Sequence, residues 1–376
     1  MAEDIASDTF LTATQAWGVE GIPKNPTAWL YAVAKNKASN ALKRSDVFAN
    51  IISQEISDRV LHVEDFEIDL SPQNINDSQL QMMFAIVVPN LSPETQIGLS
   101  LRILCGFGIG EIADAFLTTK EVIHKRLFRA KEKLREQKSS LQFTPDTLDE
   151  RLPAVLTTIY LMFNEGYHSH HGDNLIRKDL CLEALRLCTM LAENESTNTP
   201  EVNALLALMC FHFSRFDARI SKSGTLILYD DQDTALWNSD FILKGGLFLT
   251  RAARGNKLTK YHLEAGIAYW STQKTDSDEK WERILQLYNQ LLELEFSPIA
   301  ALNRAYALSK VKGKTAAIGE VEKLTINNSP FYFALLGELY IGINPQKAKF
   351  NLQQAIILAK TEPEKNALQE KLKGIS

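Results

Sequence analysis

The chain has 376 residues, of which 45% are hydrophobic, and its formal net charge is -5. This length predicts two or three domains with substantial cores. The acidic balance excludes indiscriminate binding to nucleic acid, so any such contact has to come from local basic patches. The four cysteines form no CxxC pair, and the sequence shows neither a signal peptide nor an apolar run near the ~18 residues of a membrane span. We therefore expect a cytoplasmic protein with reduced thiols.

The first predicted element is a helix over residues 2–17. Apolar residues recur at helical spacing from Ile5 to Trp17, and acidic residues stand near the helix start, where the dipole favours them. A loop rich in Gly and Pro follows. Asn25 and Pro26 then suit the N-cap and the first position of a second helix, which runs to about Arg44.

The second helix combines aromatic and basic side chains. Residues 21–45 contain five Lys or Arg and no acid. Capture of a single strand requires aromatic rings that stack on unpaired bases beside cations that hold the backbone. Trp29 and Tyr31 are the candidate stacking residues, although aromatic residues in such a pattern also serve as core residues.

Residues 45–80 reverse the sign of the charge, with eight Asp or Glu against Arg59 alone. We interpret this stretch as an acidic linker that is partly helical near 47–61. An apolar helix is expected over 78–90. Ser92 and Pro93 then supply the N-cap and the first position of a helix over 93–105.

Residues 106–137 predict a helix-turn-helix with a basic second helix. The sequence Leu117-Thr118-Thr119 interrupts the helical period, and Lys120 restarts it. In the second helix an apolar stripe is formed by Ile123, Leu127, Ala130 and Leu134. Between residues 120 and 138 there are eight Lys or Arg and three Glu. This excess suits a helix lying against phosphates, although a solvated amphipathic helix is the alternative.

Residues 145–376 predict helices joined by short loops. The stretch 297–324 predicts one helix pair, and residues from Phe333 to Ala355 fall close to the template of a tetratricopeptide repeat. Stacked helix pairs leave a concave face that suits a peptide or a protein.

The sequence shows no nucleophile elbow, P-loop or dinucleotide fingerprint. The loop FNEGYHSHHGD at 163–173 could hold a metal by composition, but its spacing matches no zinc motif. Asp230, Asp231 and Asp233 beside Trp237 could bind a cation or a basic peptide, but a solvated loop before a helix explains them as well. We therefore expect no catalytic residue, no cofactor and no metal.

Several segments resemble parts of a known family. SPETQIGLSLRILCGFGIGEIADAFLTTKEVIHKRLFRAKEKLRE resembles region four of extracytoplasmic-function (ECF) RNA polymerase sigma factors, and AEDIASDTFLTATQAW with NPTAWLYAVAKNKASNALKR resembles region two. YLMFNEGY, LYDDQDTALWN and SPIAALNRAYAL resemble the helical extension of one sigma-factor subgroup. The resemblance implies an all-α chain with a truncated region two (1–46), an acidic linker (47–77), region four (78–138) and a tetratricopeptide-like extension (145–376).

The resemblance also implies roles for particular residues in transcription initiation. Region two would bind core RNA polymerase through the helix at 3–17, with polar contacts from Asp4, Asp8 and Gln15. The melted -10 promoter element would lie on Asn25, Trp29, Tyr31, Lys35, Asn36, Lys37 and Asn40. Region four would read the -35 element in the major groove through side chains that leave the apolar stripe free: Lys120, Glu121, His124, Lys125, Arg126 and Arg129.

One departure from the family stands at the chain start. The family carries one or two further helices before AEDIASDTF, whereas Met1 lies almost on this segment. Either the start codon is placed too late, or part of the promoter-melting domain is lost. A loss would expose Phe10, Leu11 or Val33, which favours the first explanation.

The leading hypothesis is an alternative sigma factor with a regulatory helical extension. Its partners would be core RNA polymerase, promoter DNA and a protein surface, within this chain or separate, that engages the extension; no membrane contact is expected. A DNA-binding regulator that works without core polymerase would use residues 106–137 equally well. A helical-repeat scaffold with a degenerate sigma part is the third possibility.

Overall fold

The structure is a computed structural model, and it describes residues 2–23, 26, 29–38, 80, 83–85, 87, 91–103, 105–116, 118–136, 148–167, 177–219, 227, 229–324, 326, 328–359 and 362–375. The described residues form helices and turns, and none of them lies in a strand. The predicted all-α class is therefore confirmed. The predicted acidic linker lies outside the described residues.

The first helices of the chain are α1 (Ala2–Glu20), α2 (Pro93–Ile103), α3 (Ile109–Ala115) and α4 (Lys120–Glu136). Residues 29–38 are also helical. The later helices are α5 (Leu148–Tyr167), α6 (Lys178–Glu193), α7 (Pro200–Ser214), α8 (Ser239–Ala252), α9 (Lys260–Ser271), α10 (Asp278–Leu294), α11 (Pro298–Lys312), α12 (Lys314–Val321), α13 (Pro330–Tyr340), α14 (Pro345–Leu358) and α15 (Glu362–Lys373).

The chain forms two compact units. The first unit consists of Met1–Ile109 and Lys120–Val155, and the second of Gly110–Thr119 and Leu156–Ser376. Helix α3, apart from its first residue Ile109, therefore belongs to the second unit, whereas α4 belongs to the first.

In the first unit, α1 and the helical residues 29–38 share a small core. Ala13 of α1 is buried together with Trp29, Ala32 and Val33. Trp17 meets the ring of Trp29 edge-on, with 5.4 Å between the ring centroids. This aromatic contact holds the two helices together.

The apolar residues of this segment differ in burial. Val33 is fully buried, whereas Phe10 and Leu11 of α1 are exposed. The apolar residues of this segment are therefore only partly covered in the structure.

Helix α2 begins as predicted and ends two residues earlier than expected. The backbone carbonyl of Ser92 accepts hydrogen bonds from the amides of Thr95 and Gln96, which starts the first turn. After α2, Gly106 takes a positive φ of 70°, a conformation that glycine adopts without strain. The Arg102 guanidinium then donates to the carbonyl of Phe107 at 2.7 Å, which fixes the loop that follows.

The second unit is built on α7, which is buried almost all round. Helices α6, α8 and α9 pack against it. Gly245 of α8 makes the close approach possible, because a Cβ atom there would lie 2.6 Å from the ring of Phe211 on α7. A helix that is apolar on all sides is expected at the centre of an all-α core.

From α9 to α15 each helix packs on the next one along the chain. Gly313, with a φ of +85°, joins α11 to α12 and completes the helix pair expected over 297–324. In the next pair, a Cβ atom on Gly337 would lie 2.7 Å from Cγ of Leu352. Packing between neighbours is the pattern of helical repeats. The assignment to tetratricopeptide repeats stays a prediction.

Candidate functional site

Helix α4 is amphipathic, and its apolar stripe is buried as predicted. Ile123, Leu127 and Ala130 are almost inaccessible to solvent. The helix packs against α2 within the first unit. This packing fixes which side of α4 turns outward.

The outward side of α4 carries the predicted basic surface. The exposed residues include Lys120, Glu121, His124, Lys125 and Arg129. Because successive residues turn by about 100° on a helix, Glu121 and Lys125 lie opposite the buried stripe and Arg129 lies beside them. Lys131 and Lys133 extend the exposed cations along the helix. The surface can therefore face a duplex without disturbing the core of the unit.

Arg126 differs from the other residues predicted on this surface, because it is half-buried. The pKa of the Glu94 carboxyl is lowered by hydrogen bonds from the backbone of Glu94 and from the side chain of Ser92. The nearby charge of Arg126 lowers this pKa further. Part of the electrostatic role of Arg126 therefore lies within the first unit.

Phe128 lies on this surface, where the helical pattern places it, although the sequence pattern assigned it no role in DNA binding. Its side chain is 58% exposed, although it lies among the cations of α4. Phe128 follows His124 by four positions and Lys125 by three, so the three side chains share one part of the helix surface. The helical period places Phe128 outside the apolar stripe, so its exposure follows from the sequence pattern.

The residues predicted to contact polymerase lie on α1. Asp4, Asp8 and Gln15 are all exposed. Spacings of four and eleven residues correspond to about one and three helical turns, so the three side chains lie near one line along the helix. Their role stays a prediction.

The burial of Trp29 disagrees with the expectation that its ring stacks on a base of the -10 element. Its side chain is only 5% exposed and belongs to the core that joins α1 to residues 29–38. A ring enclosed in this way has no face free for a base. The aromatic residue at position 29 is thus a core residue, which was the alternative that its pattern left open.

The other described residues of the predicted -10 surface are only partly accessible to solvent. Tyr31, Lys35, Asn36 and Lys37 are half-buried. Partial burial lowers the pKa of the Lys35 ammonium. Asn25 and Asn40 lie outside the described residues.

The acidic cluster after residue 229 has a structural role. The hydroxyl of Tyr306 donates to Oδ2 of Asp230 at 2.7 Å, and Lys310 lies 3.6 Å from the same oxygen. Asp233 caps the turn that follows by accepting from the amide of Ala235. These bonds tie the loop to α11 and account for two of the three acids. Most of the His-rich loop lies outside the described residues.

Helix α3 is held in the second unit by a contact that the sequence did not reveal. Arg177 donates from Nη1 to Oε1 of Glu111 at 3.0 Å. The backbone amide of Arg177 also donates to the carbonyl of Gly166. Since 66 residues separate Glu111 from Arg177, no local pattern points to this pair.

No helix among the described residues is long and apolar enough to cross a bilayer. In the same residues, no group of three or more His, Cys, Asp or Glu side chains is arranged to hold a metal ion.

Comparison with known proteins gives two family matches along the chain. Residues 1–47 match sigma-70 region 2, and residues 151–253 match a family of unknown function, DUF6596. The second match lies within the helical extension predicted over 145–376. No solved structure matches the chain.

A relative covers most of the chain. An uncharacterized protein of Rhizobium meliloti (strain 1021) is 33% identical over 341 residues, which span 89% of this chain and 79% of the relative. The chain therefore belongs to the same family as this Rhizobium protein, and it is a sigma-factor-like protein that carries a sigma-70 region 2 followed by a DUF6596 domain.

Proposed function

We propose that this protein is an alternative sigma factor of the ECF type. It joins core RNA polymerase, directs it to promoters and starts transcription, and its C-terminal helices regulate this activity. One observation carries the proposal above all: a sigma-70 region 2 and an exposed basic helix occur in the same chain. The protein has no catalytic activity of its own in this proposal.

Helix α1 makes the contact with core polymerase. Asp4, Asp8 and Gln15 supply polar and acidic groups on its exposed side. Because these groups are not used in the core with Trp29, a partner can bind them while the helix pair stays folded.

The opened -10 strand is held by residues on and around the helical segment 29–38. Tyr31 supplies the aromatic ring, and Lys35, Asn36 and Lys37 supply a cationic and polar surface for the backbone. Asn25 and Asn40 complete the proposed set. Trp29 acts indirectly, because its contact with Trp17 fixes the segment against α1.

Helix α4 enters the major groove at the -35 element. Residues near the start of a recognition helix reach base edges most readily, so Lys120, Glu121, His124 and Lys125 are the proposed base contacts. Arg129 lies further along and binds a phosphate. An exposed aromatic ring can contact the methyl group of thymine, and we assign this contact to Phe128.

The proposed regulatory role is based on which helices belong to the second unit. This unit contains α3 together with the C-terminal helices, and the pair Glu111–Arg177 links α3 to the start of α6. A change in the C-terminal helices can therefore act on α3, which directly precedes the proposed recognition helix in sequence.

Charge reversal on α4 tests the function. We expect Lys125→Glu with Arg129→Glu to lower promoter-directed transcription by about tenfold or more, because two phosphate-compatible cations become repelling charges. Binding to core polymerase should stay unchanged. Lys274→Glu with Lys349→Glu is the matched control, since it changes the net charge equally at exposed positions of the second unit.

The same preparations distinguish the alternatives. DNA binding without a polymerase complex would identify a regulator that does not depend on core polymerase. If the α4 variant keeps both transcription and DNA binding, the proposed role of this helix is contradicted. A protein that binds neither polymerase nor DNA would be a helical scaffold.

A further inference from the structure

The second unit contains a cavity of about 840 Å³, partly open to solvent, between helices α5, α7, α9, α10 and α11. Arg215, Arg219, Ile227, Tyr229 and Gln232 also contribute to its wall. This volume lies in the range of pockets that bind small organic molecules. The cavity lies wholly within residues assigned to the second unit, and the proposed sigma function does not use it.

Aromatic side chains form much of the wall. They come from three different helices and one short turn: Tyr160, Tyr167, Tyr229, Trp281, Tyr288 and Tyr306. Several hydroxyl groups are held by the protein itself. Tyr160 donates to Glu264 at 3.2 Å, and Tyr229 donates to the carbonyl of Ser271 at 2.8 Å. Rings fixed in this way offer flat apolar surfaces at a low entropic cost of binding.

One end of the cavity is cationic. The Arg215 guanidinium lies 4.5 Å from the ring centre of Tyr229 and donates from Nε to Gln232 at 3.1 Å. Arg219 lies 3.7 Å from the ring centre of Tyr167 and donates to its carbonyl. Two guanidinium groups are thus held in fixed orientations at the same end.

The charge of Arg215 is not paired with an acid among the described residues. Within the part of the chain that the structure describes, Arg215 makes no ion pair, and Glu264 and Glu295 are the carboxylates of the cavity wall. Burial and the charges of Arg215 and Arg219 lower the pKa of His212 to about 3, so this imidazole is neutral. A partly desolvated cation such as Arg215 favours an anionic partner.

The other end of the cavity is polar and close to neutral. Burial raises the pKa of Glu264 to about 7, and Lys260 and Tyr160 oppose this shift. Lys260 itself pairs with Glu295 at 3.3 Å. Glu264 and Ser271 are seven residues apart on α9, which corresponds to about 10 Å along the helix axis. Since Tyr229 bonds to Ser271 and stacks with Arg215, a ligand that touches both ends has to be elongated.

We propose that this cavity binds a small aromatic carboxylate. The carboxylate pairs with Arg215, the aromatic body lies between the tyrosines and Trp281, and a neutral polar group at the far end bonds to Glu264. Aromatic walls and a fixed guanidinium fork fit a planar organic anion better than a cation or a flexible aliphatic chain.

Isothermal titration calorimetry on the full chain at pH 7 tests the proposal with three probes that share one ring. Indole-3-acetate is anionic, indole-3-acetamide is neutral and tryptamine is cationic. We expect indole-3-acetate to bind at least about tenfold more tightly than the amide, because the amide loses a charge-assisted pair. Tryptamine should bind more weakly still. Equal affinities, tighter binding of tryptamine, or no binding of indole-3-acetate at millimolar concentration would overturn the proposal.

Substitutions locate the site. We expect Arg215→Gln to weaken binding of indole-3-acetate at least about tenfold. Arg283→Gln is the matched control, because Arg283 is an exposed arginine of α10 outside the cavity wall. This variant should bind indole-3-acetate with the same affinity as the unmodified protein. Unchanged affinity in the Arg215 variant would refute the assignment. If Arg215→Gln does not fold, the probe series on the unmodified protein still decides, since it needs no variant. Neither measurement involves polymerase or DNA, so its outcome is independent of the proposed sigma function.

Discussion

Replacing Glu264 by Gln tests the electrostatics of the second unit. The carboxyl group of Glu264 is partly enclosed, and burial raises its pKa from 4.5 to about 7. Between these two values the folded protein holds a proton that the unfolded chain has released, so stability decreases as the pH rises. The loss is complete above the folded pKa. Gln keeps an oxygen that accepts from Tyr160 and removes the ionisation.

The magnitude follows from the shift. A change of one pKa unit corresponds to about 1.4 kcal/mol, which gives about 2.5 kcal/mol of lost stability between pH 5 and pH 8 for Glu264. Partial access of the group to solvent lowers the expected value to about 2 kcal/mol. The variant Glu264→Gln should therefore gain about this amount over the unmodified protein as the pH rises across this range.

Urea unfolding followed by circular dichroism at pH 5, 6, 7 and 8 measures this difference. Glu293→Gln is the matched control, because Glu293 is an exposed glutamate in the same unit. Its unfolding free energy should parallel that of the unmodified protein at every pH. Parallel profiles for the Glu264 variant as well would refute the reasoning, since they would show that the carboxyl ionises equally in the folded and unfolded states.

Two further pairs of substitutions test packing. Gly337→Ala should destabilise the protein by about 1 to 3 kcal/mol, because the new Cβ would lie 2.7 Å from Leu352. Gly246→Ala is the control, because nothing lies within 4 Å of the added atom; it should stabilise α8 by about 0.5 kcal/mol. Equal melting temperatures for the two variants would contradict this. Trp29→Ala should lower the free energy of unfolding by about 3 kcal/mol or more, because it removes the largest side chain of a small core. Phe10→Ala, at an exposed position, should change thermal stability little. A Trp29 variant with normal stability and impaired binding to single-stranded DNA would support the base-stacking interpretation instead.

The sequence predicts the helices well, because amphipathic periods and capping residues act locally. The start of α4 at Lys120 and the start of α2 at Pro93 both follow from such signals. The burial of Ile123 and Leu127 follows from the helical period in the same way. Local signals are therefore sufficient to identify which side of α4 is exposed.

The sequence is less informative where a side chain has two possible environments. Trp29 and Tyr31 are two positions apart and are both aromatic, yet Trp29 is enclosed and Tyr31 is half-buried. The difference depends on where Trp17 of α1 lies, which is a tertiary contact. Arg126 is similar, because its neighbour Glu94 belongs to another helix.

The cavity could not be predicted at all from local patterns. Tyr160 and Glu264 are 104 residues apart in sequence and meet only after the helices pack. Each tyrosine taken alone reads as an ordinary core residue. From the sequence, the acidic residues near Asp230 are compatible with a cation, a basic peptide or a solvated loop, whereas in the structure Asp230 bonds to Tyr306 and Lys310.

Transcription reconstituted from purified parts tests the proposed function most directly. Core RNA polymerase from the same organism, the full chain and a library of promoter fragments would be combined, and the RNA 5′ ends would be mapped. If this protein is a sigma factor, defined start sites should appear only when it is present, and Lys125→Glu with Arg129→Glu should remove them. Absence of any start site that depends on the protein, together with no complex between it and the polymerase, would contradict the function proposed for this chain.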